Sequence, residues 1–129
     1  MGQYLFSADK ATKFNKHGID LTIYDEHVPQ ANVVHVSVDK GHFQEFYDLE
    51  SHYIYYIYEG NGTFVLNDEK IQAKATDLVV IPPKTRIHYF GQMKMVLTVS
   101  PAFKEENERH VRFVDESESP YGDQADMAQ

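Results

Sequence analysis

Over most of its length the chain alternates apolar and polar residues in short runs, the period of strands with one buried face. Ile19, Leu21 and Ile23 alternate with Asp20 and Thr22. Asn32 to Val38 is β-branched and ends at Asp39-Lys40-Gly41, a turn. His42 to Asp48 alternates again. Tyr53 to Tyr58 breaks the rule, because it is aromatic or aliphatic at every position. Gly60-Asn61-Gly62 follows and predicts a hairpin, as does Asn67-Asp68 between TFVL and KIQAKA. Leu78 to Ile81 is an apolar strand stopped by Pro82 and Pro83. RIHYF, then Met93 to Ser100, and finally an edge strand over Glu108 to Phe113 complete the set. Roughly nine or ten strands at about 8–12-residue spacing predict an all-β sandwich or barrel. Ser7 to Phe14 predicts at most one helical turn, capped by Ser7.

Composition narrows the function classes. The chain has 129 residues, enough for one domain with a real core. The net charge of −8 argues against a nucleic-acid backbone as partner. Much of it lies in Asp115, Glu116, Glu118, Asp123 and Asp126, which follow Arg112 with no base among them. We expect residues 115–129 to be an acidic flexible tail, 105–114 an edge strand, 31–104 the barrel core, and 1–30 N-terminal strands or an arm joining it. The absence of cysteine excludes disulfides, thiolate metal sites and a thiol nucleophile. No apolar run approaches bilayer-spanning length, and MGQYLFSADK lacks the order of a signal peptide. A cytoplasmic protein with no membrane partner is the expectation.

The order of features, a strand opening at Gly41, a strand ending in Glu59-Gly60-Asn61-Gly62, a hairpin and then TDLVVIPPKTRIHYF, resembles the small single-domain cupins. The resemblance covers about Val33 to Phe103. It implies a cupin-type β-jelly roll, a double-stranded β-helix barrel around a central pocket. The family's first motif is G-x5-H-x-H-x3/4-E-x6-G and its second is G-x5-P-x-G-x2-H, and their three His and one Glu usually hold one divalent metal. With Gly60 closing the first motif, the Glu position falls on Tyr53. The two His positions fall on Phe46 and Asp48, or on Tyr47 and Leu49 with the shorter spacer. Pro82 anchors the second motif and puts its glycines at Thr76 and Lys84 and its His at Ile87. Only Asp48 retains a metal-binding side chain, so the motif is degenerate and no metal cofactor is expected. The alternative is one divalent ion on displaced ligands. His52 and His88 each lie one residue from a ligand position, where strand geometry points them out of the barrel and neighbouring strands would bring them close.

The same count predicts the pocket lining: Gln44, Phe46, Asp48, Tyr53, Tyr55, Ile57, Ile87 and Tyr89. Such an aromatic wall with a few hydroxyls and one carboxylate either binds a small, sugar-like or ring-containing molecule or simply plugs the barrel. The leading functional expectation is a metal-independent small-molecule binder. The alternatives are an isomerase, epimerase or lyase with Asp48 and Tyr53 as catalytic groups, and a non-catalytic sensor or assembly module. His42 is expected at the rim, and His35 faces either the pocket or solvent. Ile54, Tyr56 and Tyr58 form the outward row on their strand, and such an apolar row predicts a homodimer interface.

Overall fold

The computed structural model describes residues 3–121, which form one nine-stranded antiparallel sheet curled into a barrel. The strands are β1 (Thr12–Lys16), β2 (Ile19–Val28), β3 (Ala31–Val38), β4 (Gly41–Asp48), β5 (His52–Leu66), β6 (Glu69–Lys74), β7 (Leu78–Ile81), β8 (Ile87–Ser100) and β9 (Glu108–Phe113). The only regular helical turns among the described residues are short 3-10 pieces, and Ser7 caps the first through the Asp9 N–H. None of them is long and apolar enough to cross a membrane.

Two long strands carry the architecture. β5 and β8 pair along nearly their whole length, from His52 opposite Ser100 to Leu66 opposite Ile87. The second half of β8 also pairs with β3, and its first half with β4. The first half of β5 pairs with β7 and its second half with β6. One face of the barrel therefore runs β1-β2-β3-β8-β5-β7 and the other β9-β4-β8-β5-β6.

The switch between faces happens at Gly60, Gly62 and Gly91. The hairpin expected at Gly60-Asn61-Gly62 does not form, because β5 continues straight through it. A register shift between Ile57 and Glu59 and positive φ at Gly60 and Gly91 bend the paired strands instead. A side chain on Gly60 would sit 2.0 Å from the Gln92 carbonyl oxygen, and one on Gly91 would sit 2.6 Å from both the Asn61 oxygen and the Gly62 Cα. Only glycine allows that approach. The Asn67-Asp68 hairpin does form, with φ of 49° and 72° at its two turn residues, the left-handed pair of a tight hairpin turn.

Thr76 and Lys84 have φ of 80° and 68°. These are the positions that the cupin motif gives to glycine. The backbone keeps the left-handed conformation although the residues have changed.

The core follows the predicted parity. Tyr53, Tyr55 and Ile57 of β5, Phe46 of β4, and Ile87 and Tyr89 of β8 are all buried inside the barrel with Val36, Ile81, Met93 and Met95. On the outer face Ile54 is half-buried, and Tyr56 and Tyr58 are exposed beside Leu78 and Val80 of β7. His35 lies on this outer face, with Nε2 hydrogen-bonded to the Tyr58 hydroxyl.

A second, smaller cluster explains where the chain ends go. Val65, Phe90 and Val114 are buried on the outside of the other face, flanked by Phe43 and Tyr121. Residues 115–121 thus lie along the barrel instead of trailing from it. Asp115 caps the 3-10 turn at Glu116–Glu118 in a capping box, and the Tyr121 and Thr63 hydroxyls are 2.8 Å apart. Residues 122–129, the rest of the expected tail, lie outside the described residues. The same cover buries His88, which points out of the barrel as counted, at 3% exposure.

Glu45, 1% exposed, ties this layer together. Its carboxylate accepts from Arg86 Nη1 at 3.1 Å and Arg112 Nε at 3.2 Å. Each arginine has a second carboxylate, Asp68 for Arg86 and Glu118 for Arg112. A buried carboxylate held by two guanidinium groups resists separation, because losing either leaves charge uncompensated. The network anchors β9 to β4 and so positions whatever β9 carries.

Candidate active site

Side chains from seven strands converge on one cavity inside the barrel, mostly apolar with a few polar groups, as small-molecule sites are. β1 contributes Phe14 and Lys16. β2 and β3 give an aliphatic wall that includes Leu21, Ile23, Val34 and Val36. β4 places His42, Gln44 and Phe46. β5 and β8 add Tyr53, Tyr55, Tyr89 and Leu97, and β9 adds Glu108. Strand alternation explains the set, since inward residues on each strand are two apart.

His42 is the chemically distinctive group. It is 4% exposed, its ring stacks on Tyr89 with centroids 5.3 Å apart, and Phe46 meets it edge-on at the same distance. Its Nδ1 is buried without a hydrogen-bond partner. Burial first, then the positive charges of His17, Lys16 and His88, push its pKa down to about 3. The imidazole is therefore neutral at any working pH. The expectation that His42 sits at the rim is corrected: the cavity extends along β4 to His42, and its distance from Asp48 does not remove it from the site.

The tyrosine hydroxyls keep their protons. Burial raises the pKa of Tyr53, Tyr55 and Tyr89, so all three stay protonated. The Tyr55 and Tyr89 hydroxyls interact inside the barrel. Either hydroxyl can donate in that pair, and the one that accepts keeps its own hydrogen for another acceptor. The Tyr53 hydroxyl turns to Asp48 Oδ2 at 3.5 Å. At the mouth, Lys16 Nζ and Glu108 Oε1 form a half-buried ion pair at 3.2 Å.

Asp48 does not line the cavity. It is buried, but its Oδ1 accepts from the backbone N–H groups of Glu50 and Ser51 at 2.9 and 2.8 Å, which builds the β4–β5 turn. Ile87 and Ile57 point inward as counted but pack in the core away from the cavity. Gln44, Phe46, Tyr53, Tyr55 and Tyr89 are brought together as counted. Lys16 and Glu108 carry no motif, and neither does His110, which is exposed on β9 and meets the site only through Gln44. Lys16 and Glu108 reach the site because β1 and β9, from opposite ends of the chain, close over it.

Known proteins bear on this constellation. No known family profile matches the chain. A 67-residue stretch is 37% identical to an uncharacterised protein of Methanocaldococcus jannaschii, covering 46% of this chain and 54% of that protein, so the chain spans about half the length of the curated relative it matches. An RmlC-like cupin from Shewanella frigidimarina, 15% identical, shares the fold with a TM-score of 0.65 over 81% of this chain and 96% of that one. Streptomyces Pac13, a nucleoside dehydratase, is 58% identical, covers 93% of this chain and 100% of its own, and superposes with a TM-score of 0.91. The chain belongs to the cupin family. Pac13 has also been solved with uridine as the variants Y89F, H42Q and Y55F. Tyr89, His42 and Tyr55 stand at the same numbers in this cupin and meet in its cavity.

The metal usual in cupins does not fit the residues present. Among the described residues no three His, Asp or Glu side chains converge on one point. The pair His52 and His88 is corrected as a displaced ligand set. β5 and β8 are neighbours as expected, but their register sets His52 against Ser100 and His88 against Val65, at opposite ends of the strand pair. His52 is exposed, and His88 Nδ1 lies 3.7 Å from Glu45 under the C-terminal cover.

Proposed function

We propose that this cupin is a lyase that removes water from a nucleoside, with the sugar held against His42 and Tyr89. The observation that carries the reading is His42, a buried, neutral imidazole without a partner for Nδ1, stacked on a tyrosine in the cavity wall. The likeness to Pac13 over nearly the whole of both chains supports the substrate class and the reaction.

The chemistry follows from the groups. An imidazole takes a carbon-bound proton readily only where a neighbouring carbonyl acidifies it, so the reacting nucleoside carries a carbonyl beside that carbon. His42 accepts the proton, and the electron pair of the C–H bond moves toward the carbonyl oxygen. The Tyr89 hydroxyl, beside that of Tyr55, stabilises the charge on that oxygen. The pair then returns to form the C=C bond, the adjacent C–O bond breaks, and the hydroxyl leaves as water with a proton from the His42 imidazolium. Nothing is oxidised or reduced. The low pKa of His42 keeps it ready to accept, and the negative charge building on the substrate offsets the cost of a buried imidazolium. Lys16 and Glu108 close the mouth over polar substrate groups.

Incubating the protein with nucleosides that carry a carbonyl on the sugar, followed by mass spectrometry, tests the reading. Loss of one water from at least one of them, dependent on enzyme, is the expected result. Unchanged substrate across uridine- and cytidine-type compounds would overturn it.

A further inference from the structure

Resting on the nucleoside reading above, we infer that Gln44 selects the base, accepting a uracil-like imide over an amino-pyrimidine, and that His110 fixes this choice by holding the amide in one orientation. Gln44 lies two residues beyond His42 on the inward face of β4 and is 7% exposed. That spacing sets the two side chains roughly 7 Å apart, the order of the separation between the sugar carbons of a pyrimidine nucleoside and the far edge of its base. Phe46 and Tyr53 flank this end of the cavity and supply aromatic surface for a flat ring.

The polar groups there leave one function uncommitted. The Gln44 Nε2 is 2.9 Å from Nδ1 of His110. An amide nitrogen only donates, so Nδ1 accepts and the ring carries its proton on Nε2. His110 is placed by β9 and leans on Phe113, with ring centroids 4.6 Å apart. The Gln44 Oε1 is buried and has no partner. The Tyr53 hydroxyl does not serve it, being turned to Asp48. An orphan carbonyl in a binding wall is matched by a ligand N–H. The imide of uracil presents an N–H at its ring nitrogen, whereas cytosine presents a lone pair there, which would face the Oε1 lone pairs. A buried site built to take one hydrogen bond rejects the analogue that cannot make it. Without the His110 acceptor the amide is free to turn over, present its NH2 group to the cavity and lose the discrimination.

Calorimetric titration with uridine and with cytidine tests this on the wild type, Gln44→Met, His110→Ala and His110→Asn, with thermal melts to confirm folding. The wild type binds uridine about tenfold or more tighter than cytidine. Gln44→Met loses about tenfold in uridine affinity and levels the two ligands. His110→Ala narrows the preference, and His110→Asn, which keeps an acceptor near the Nδ1 position, restores it. If Gln44→Met fails to fold, the two His110 variants decide. Uridine binding that is equal to cytidine binding in the wild type, or unchanged in Gln44→Met, overturns the role of Gln44 and leaves the nucleoside reading standing. Failure of the wild type to bind either nucleoside overturns both.

Discussion

Replacing His42 by glutamine isolates the energetic consequence of burying an imidazole. In the folded protein this group has its pKa pushed down to about 3, against 6.5 when unperturbed. In the unfolded chain it titrates normally. Below pH 6.5 the unfolded state therefore binds a proton that the folded state refuses, and stability falls with acid. The contribution is fully present above pH 6.5 and is lost as the pH drops toward about 3. The whole difference corresponds to about 5 kcal/mol, and by about pH 5 about 2 kcal/mol of it is already gone. Glutamine does not titrate, and the H42Q variant of Pac13 keeps the same barrel, with a TM-score of 0.91 to this chain. Urea unfolding of wild type and His42→Gln at about pH 7.5 and about pH 5 makes the comparison. Carboxylate protonation lowers both curves alike. The wild type should lose about 2 kcal/mol more than the variant between the two conditions. Parallel losses would mean that His42 is not held neutral, and the argument for a ready base would fail with it.

Other substitutions probe the frame and the mouth. Gly91→Ala forces a methyl to within 2.6 Å of two backbone atoms at a φ of 121° and should cost about 3 kcal/mol or more in urea unfolding, with an unchanged midpoint counting against the bend. Thr76→Gly relieves a β-branched residue at φ 80° and should raise stability by about 0.5–1 kcal/mol, read as a higher melting temperature. Lys16→Met leaves Glu108 unpaired at the cavity mouth and should raise KM several-fold more than it lowers kcat, whereas an unaltered KM would remove Lys16 from the site.

Much of the barrel was legible because side-chain parity in a strand is rigid. Counting from Gly60 and Pro82 gave the inward set on β4, β5 and β8 correctly, and the backbone at Thr76 and Lys84 still takes the shape the missing glycines would have taken. Gly60-Asn61-Gly62 has the residues of a hairpin but forms a bend, because a turn and a bend between two sheet faces ask for the same residue; only the pairing partner, Gly91, distinguishes them. The centre of the site was displaced for a related reason. Motif spacing says which residues point inward, but not where along the barrel axis space remains. Ile57, Ile81 and Ile87 are packed in the core and do not line the cavity, which reaches from Phe46 and Tyr53 to His42. Asp48 is a carboxylate among aromatic rings in the sequence, yet a turn with free N–H groups claims it first. Lys16, Glu108 and His110 were out of reach, since strands from opposite ends of the chain meet only in three dimensions. The burial of His88 depends in the same way on the C-terminal cover.

The most direct test compares wild type and His42→Gln on a sugar-oxidised uridine in single turnover, with uridine affinity measured on the same preparations. The account predicts that wild type releases one water per substrate, and that His42→Gln binds uridine within a few-fold of wild type while its turnover falls by about 10²–10⁴. Undiminished dehydration by His42→Gln, with binding intact, would contradict it.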